Sequence, residues 1–177
     1  IGYGYERQEI GEIIVKGPVV TRAYENNESE NRLSKIRDDS LFWHRIGDMG
    51  YLDDQGRLWF CGRKAHRVFT KDITMYTIPC EAIINEHPDV FRSALVGVKG
   101  PDGFEIPVII IEPNSDFDRK ESELLAEIRE LALSHRLTSK VRRFLIHRQF
   151  PVDIRHNAKI FREKLGEWAR KELKLAA

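Results

Sequence analysis

Cysteine is scarce in this chain: Cys61 and Cys80 are the whole supply among 177 residues. They form no Cys-x-x-Cys pair, and no histidine cluster stands at metal-ligand spacing. That argues against a disulfide framework and against structural zinc, and it suits a reducing, cytoplasmic setting. Long apolar runs are missing too. A run such as Pro107 to Ile111 falls far short of the roughly 20 residues that a membrane-crossing helix needs. A charge excess of one sign is also missing. The 29 Lys and Arg against 28 Asp and Glu leave a formal net charge of +1, so no global basic field points to nucleic acid. There is no internal repeat and no low-complexity tract. The first residue is Ile1 rather than methionine, so a piece of a longer protein is expected, with any targeting signal upstream.

What is present is enough apolar material for a core, 41% of residues, patterned in short segments. Residues Glu9 to Gly17 read as a strand bounded by glycines. Glu25 to Asp39 is polar and weakly periodic, a surface loop or short helix. Trp43 to Phe60 holds two apolar runs around Asp53-Asp54-Gln55-Gly56, a hairpin signal. The basic stretch Arg63 to Arg67 breaks the pattern and marks a boundary. Val68 to Thr70 and Thr74 to Tyr76 flank a second hairpin at Lys71-Asp72. A helix opens at Thr77-Ile78-Pro79 and stops before His87-Pro88. Strands follow at Val90 to Val98 and Ile106 to Ile111, joined at Gly100-Pro-Asp-Gly103. The spacing of Leu124, Leu125, Ile128, Leu131 and Ala132 predicts an amphipathic helix over 121–136. A strand over Val141 to Phe150 and a helix over 158–174 complete an α+β order.

The string His44-Arg-Ile-Gly-Asp48-Met-Gly-Tyr-Leu-Asp53-Asp54-Gln-Gly56, followed by Gly62-Arg63, resembles the adenylate-forming (AMP-binding) superfamily. That superfamily holds acyl-CoA synthetases, luciferases and peptide-synthetase adenylation domains. Gly11-Glu12-Ile-Ile-Val-Lys-Gly17 with Tyr24 looks like its preceding motif, and Lys159-Ile-Phe-Arg162 like its last. Three motifs in the right order span nearly the whole chain. The resemblance implies that residues 1–62 form the β-rich end of the large N-terminal domain. Residues 63–65 would be a hinge, with Ala65 at its turning position, and 66–177 the small mobile C-terminal domain. Gly62 to Val68, Tyr76 to Ala82 and Phe150 to Arg162 are similar to the olefin-biosynthesis branch. Its members are like fatty-acid CoA ligases but act on long-chain β-hydroxy acids as β-lactone synthetases.

The resemblance assigns three residues to chemistry. Asp48, read as lying in a Gly-Asp-Met-Gly turn, would hold the ribose of ATP and of the acyl-adenylate, a carboxylate having acceptor capacity for both vicinal hydroxyls. The bland alternative is an aspartate that stabilises its turn. Arg63 would be a second nucleotide contact, being always charged and presenting a fork of donors. Lys159, at the start of the last helix, would bridge the attacking carboxylate and the α-phosphate as pyrophosphate departs. ATP and Mg²⁺ would be bound mainly by the upstream region, and CoA is left open. Arg162 reads as a structural anchor through ion pairs. His44 and His66 lack a readable carboxylate partner. Trp43, Trp59, Tyr76 and Trp168 read as packing residues, and Lys140, Arg142 and Arg143 as a solvated face.

Three positions depart from the family pattern. Ala158 stands where members usually have glycine, Ala65 where they have Asp or Lys, and the hairpin at Lys71-Asp72-Ile73 lacks a glycine near the expected path of pantetheine. The last two weaken thioester formation and leave adenylation untouched. The expected activity is ATP-dependent activation of a long-chain acyl substrate through an acyl-adenylate. It ends either in a CoA thioester or in a β-lactone, with a non-catalytic α+β binding module as the reading from another class. Acyl chain length and oligomeric state stay open, pairing of copies through exposed strand edges included.

Overall fold

The computed structural model describes residues 9–38, 41–155 and 159–174. The fold is α+β, and the chain divides into two compact units, Ile1–Ala65 and His66–Ala177. Ala158 lies outside the described residues.

The first unit is built on one long strand. β3 (Leu41–Leu52) pairs antiparallel with β1 (Gly11–Val15), with β2 (Lys35–Asp38) and with β4 (Leu58–Arg63). The polar stretch before it forms a short helix, α1 (Glu28–Ser34), capped by the Asn27 side chain on the Glu30 amide. Its continuation into β2 was not evident from composition, because Lys35 to Asp38 is a strand by virtue of pairing with Leu41 to His44. The turn from β3 to β4 is fixed by Asp53. Its Oδ1 accepts the Gln55 and Arg57 amides at 3.0 and 2.9 Å, and its Oδ2 accepts Trp59 Nε1 at 2.8 Å. Trp59 is thus not a core residue: it is 49% exposed and stacks on Tyr51 across the strand pair.

The second unit opens with the hairpin of β5 (Val68–Phe69) and β6 (Thr74–Met75), followed by α2 (Thr77–Ile84). β7 (Val90–Lys99) and β8 (Glu105–Pro113) form an antiparallel pair. After α3 (Glu121–Ser134), β9 (Arg143–Ile146) runs parallel to β8, giving the order β7-β8-β9. β9 is shorter than the apolar pattern suggests, since its pairing with β8 spans only those four residues. β10 (Val152–Asp153) and β11 (Lys159–Ile160) form a small hairpin, and α4 (Arg162–Glu172) ends the described fold.

Both hydrophobic clusters lie in this unit, one on each face of the sheet. Along β8, Ile109 and Ile111 enter the cluster with α2 and α3, while Val108 and Ile110 enter the one with α4. A strand covered on both faces needs no polar alternation, which explains the unbroken run Val108 to Ile111. On α3, Leu124, Ile128 and Ala132 are fully buried at spacings of four, the stripe a core-facing helix requires.

Candidate active site

Asp48 does not sit in a turn. It is inside β3, directly opposite Arg63 of β4. The glycines around it serve a bulged strand. Gly47 adopts φ +75°, and against β1 the register shifts between Arg45 and Met49, where residues 46–48 of β3 face Ile13 alone, the geometry by which a bulge re-aims a side chain. Gly50 is needed for space, because a Cβ there would lie 2.6 Å from the Trp59 carbonyl oxygen. The result brings two sequence-predicted residues together. Arg63 Nη1 donates to Asp48 Oδ1 at 2.7 Å and to the Ile46 carbonyl at 3.0 Å. Asp48 Oδ2 has no hydrogen bond among the described residues, so one face of the carboxylate stays open beside a half-exposed guanidinium.

Glu12 and Tyr24 make further contacts within the first unit. Glu12 Oε2 accepts Arg45 Nη2 at 2.5 Å and Lys64 Nζ at 2.7 Å. The Arg45 bond is the largest cause holding the Glu12 carboxyl below its usual range. Lys64 begins the 3₁₀ turn Lys64–His66 that contains Ala65, so Glu12 tethers the chain one residue before that position. Tyr24 Oη lies 3.3 Å from His44 Nε2, and His44 Nδ1 lies 3.3 Å from the Ser34 carbonyl. A proton on Nδ1 serves both contacts, and the arrangement is one of packing.

Lys159 lies in the second unit and is not helical. It belongs to β11, opposite Asp153, and α4 begins only at Arg162. The Phe161 amide donates to the Pro151 carbonyl at 2.9 Å, which keeps the segment extended up to the helix. The ammonium is exposed and makes no ion pair among the described residues. Arg162 anchors the helix as its sequence position suggested, through a buried ion pair with Glu81. His66 Nε2 lies 3.5 Å from Glu163. Burial, and then the charge of Arg162, hold its pKa below the usual histidine range, so His66 is neutral near pH 7.

The β5–β6 hairpin is closed by Thr70, whose Oγ1 accepts the Ile73 amide at 3.1 Å and donates to the Ile73 carbonyl at 2.7 Å. Glu105 accepts the Phe69 amide at 2.7 Å at its base. The tip carries the side chains of Lys71, Asp72 and Ile73, all exposed.

Among the described residues, no group of carboxylates is arranged to hold Mg²⁺. Arg63 occupies the place beside Asp48 that a cation would take. Among the described residues, His87, Asp89 and Glu127 bring potential metal ligands within 4.8 Å of one another. There the Asp89 amide donates to His87 Nδ1 at 3.2 Å, so Nε2 holds the proton shared with Glu127 at 3.0 Å. Arg119 completes the group, 2.6 Å from Glu127 and 3.4 Å from Asp89. It is an ion-pair network tying the loop before β7 to α3. No described helix is long and apolar enough to cross a membrane.

No protein-family model matches the chain. It is 46% identical over 170 residues to an olefin β-lactone synthetase of Xanthomonas campestris, covering 93% of this chain and 30% of that protein. It is 33% identical over 113 residues to a 2-succinylbenzoate–CoA ligase of Bacillus licheniformis, covering 64% of this chain and 23% of that one. The o-succinylbenzoate CoA synthetase of Bacillus subtilis, solved with its acyl-adenylate, superposes with a TM-score of 0.74 at 25% identity, over 91% of this chain and 31% of that one. The chain thus spans less than a third of the length of these relatives. Sequence likeness of this extent, together with the shared α+β fold, shows that the chain belongs to the adenylate-forming superfamily and corresponds to a C-terminal portion of its members.

Proposed function

We propose that this chain serves, within the full-length protein, the ATP-dependent activation of a long-chain carboxylic acid through an acyl-adenylate. The observation that carries the reading is the Asp48–Arg63 pair, with one carboxylate oxygen engaged and the other open. On this reading the open oxygen accepts the ribose hydroxyls, and Arg63 supplies positive charge on the phosphate side. The substrate carboxylate attacks the α-phosphorus, a P–O bond forms to it, and the bond to pyrophosphate breaks. Lys159, exposed and uncommitted, stabilises the charge that develops on the phosphoryl oxygens. Mg²⁺ would be held by the rest of the protein, where it would neutralise charge on the departing pyrophosphate, and the acyl pocket would lie there too. The assignments of 1–62 to the large domain, 63–65 to a hinge at Ala65 and 66–177 to a small mobile domain belong to the same reading, as does a cytoplasmic setting.

For the second step we propose β-lactone formation over transfer to CoA. Two facts support it: the identity to the β-lactone synthetase exceeds that to the CoA ligase over a longer stretch, and the β5–β6 hairpin carries side chains along its whole tip. The 3-hydroxyl oxygen attacks the acyl carbon, the four-membered ring closes, and AMP leaves as the hydroxyl proton is lost. The test is to give the full-length protein ATP and a 3-hydroxy long-chain acid without CoA. AMP, pyrophosphate and a β-lactone are expected. Absence of acid-dependent pyrophosphate release would overturn adenylation itself, and AMP formation that waits on CoA would return the protein to the thioester-forming ligases.

A further inference from the structure

Arg162 opens α4 with its guanidinium out of water. Nη1 and Nη2 fork onto Oε1 and Oε2 of Glu81 in α2 at 2.5 and 2.9 Å, and Nη1 lies 3.4 Å from the Leu95 carbonyl of β7. The Leu95 amide returns a bond to Glu81 Oε1 at 2.8 Å. The side chains are only 13% and 7% exposed. Two helices and the central part of a strand therefore meet in one satisfied polar knot inside the second unit.

Stability gives a poor reason for this knot. Desolvating a buried ion pair offsets most of its attraction, and apolar replacements of similar size are often neutral or stabilising. The charge also stands at the unfavourable end, since a cation in the first turn of α4 opposes the helix dipole. What a bidentate fork supplies is direction: two parallel bonds fix a plane as well as a distance. The chain just before Arg162 has no slack. Phe161 is bonded to Pro151 through its amide, Ile160 pairs with Val152, and Lys159 pairs with Asp153. Nothing among the described residues holds the Lys159 ammonium itself, so the placement of its backbone decides where it can reach.

We propose that Glu81 and Arg162 are positioning residues for Lys159, fixing where α4 starts and hence where the lysine is presented. This rests on the role given to Lys159 above. The pair acts through the backbone and touches no reactant. Its removal should therefore slow the step that Lys159 serves without altering how ATP is held.

The experiment measures acid-dependent ATP–pyrophosphate exchange and thermal stability in the full-length protein. The double variant Glu81→Leu/Arg162→Leu keeps a melting temperature near that of the wild type and an unchanged KM for ATP. Its kcat falls on the order of 10²-fold, the usual penalty for misplacing a reacting group by about 1 Å. In a Lys159→Ala background the same two substitutions cause no further loss, because the residue they position is gone. A merely structural pair would multiply the two losses. Arg162→Lys, which keeps the charge and loses the fork, gives an intermediate kcat and carries the same test should the double variant not fold. Wild-type kcat in these variants, or losses that multiply with Lys159→Ala, overturns the inference while leaving Lys159 in place. Unchanged exchange in Lys159→Ala alone overturns the reading of the lysine, and the inference with it.

Discussion

At the scale of single residues, the chemistry turns on which charges are committed and which are free. Asp53 is fully committed. Its bond from the Trp59 indole, the largest cause, together with Arg57 and two backbone amides, takes its pKa down to about 2 from the ordinary 3.8. The unfolded chain binds this proton first as the pH falls. The contribution of Asp53 to the hairpin is therefore complete above about pH 4 and is lost as the pH falls through about 2. A carboxyl NMR titration should place the midpoint near 2, and Trp59→Phe should move it up towards the ordinary range. A midpoint at the ordinary value in the unsubstituted chain would mean that the indole bond does not form in solution. Lys159 is the opposite case, an exposed cation with no partner among the described residues. On the proposed mechanism Lys159→Ala lowers adenylation about 10²–10³-fold, the usual loss when one aligned donor is taken from a developing charge. Conversion of supplied acyl-adenylate should suffer less, because the lysine's step is then past. Equal losses in both reactions would show that the substitution damages the unit as a whole.

At the scale of elements, sequence patterns were informative where the determinant is local and failed where it is not. The hairpin at Asp53-Asp54-Gln55-Gly56 was legible because turn chemistry is written in adjacent residues, and α3 because its stripe repeats every four. That hairpin also implies the meeting of Asp48 with Arg63, since strands folded back at 53–56 bring these positions opposite each other. Asp48 lies in a strand and not in the turn that its neighbours suggest. Its flanking glycines look like turn residues, but they serve a bulge that depends on β1 and β4 pairing from outside. Lys159 reads as helical from sequence because Ile160 and Phe161 continue the apolar spacing of Leu165 and Trp168, yet it lies in β11. The pairing with Val152 and Asp153 that makes this segment a strand has no periodic signature. The Glu81–Arg162 pair spans 81 positions, beyond any local pattern. The stripe on α3 offers a direct check of the packing. Ile128 is fully buried between α2 and the sheet, so Ile128→Ala should destabilise the second unit by about 2–5 kcal/mol in denaturant titration. A cost below about 1 kcal/mol would mean that α3 is not docked as described.

At the scale of the whole molecule, the two units differ in kind. Among the described residues, both apolar clusters belong to His66–Ala177, whereas the first unit buries little beyond Met49 and Cys61 and leaves Leu58, Trp59 and Phe60 about half exposed on successive positions of β4. A sheet with so little covered apolar surface has little to set against the entropy of ordering its chain. The 177-residue chain should therefore open in two steps. Amides of β3 and β4 should exchange with solvent orders of magnitude faster than those of β8, whose residues Val108 to Ile111 are fully buried. Hydrogen exchange by mass spectrometry reads this directly, and the same measurement in the full-length protein should show β3 and β4 slowed far more than β8. That difference follows from the proposed assignment of 1–62 to a larger domain whose remaining strands would cover this sheet. It also carries a consequence for activity. If the ribose contact depends on a sheet that needs its neighbours, the isolated chain should show no acid-dependent pyrophosphate release, although Asp48, Arg63 and Lys159 are all present. Equal protection of β3 and β8 in the isolated chain would show that the first unit is self-sufficient. Turnover by that chain at the rate of the full-length protein would remove the need for any further domain.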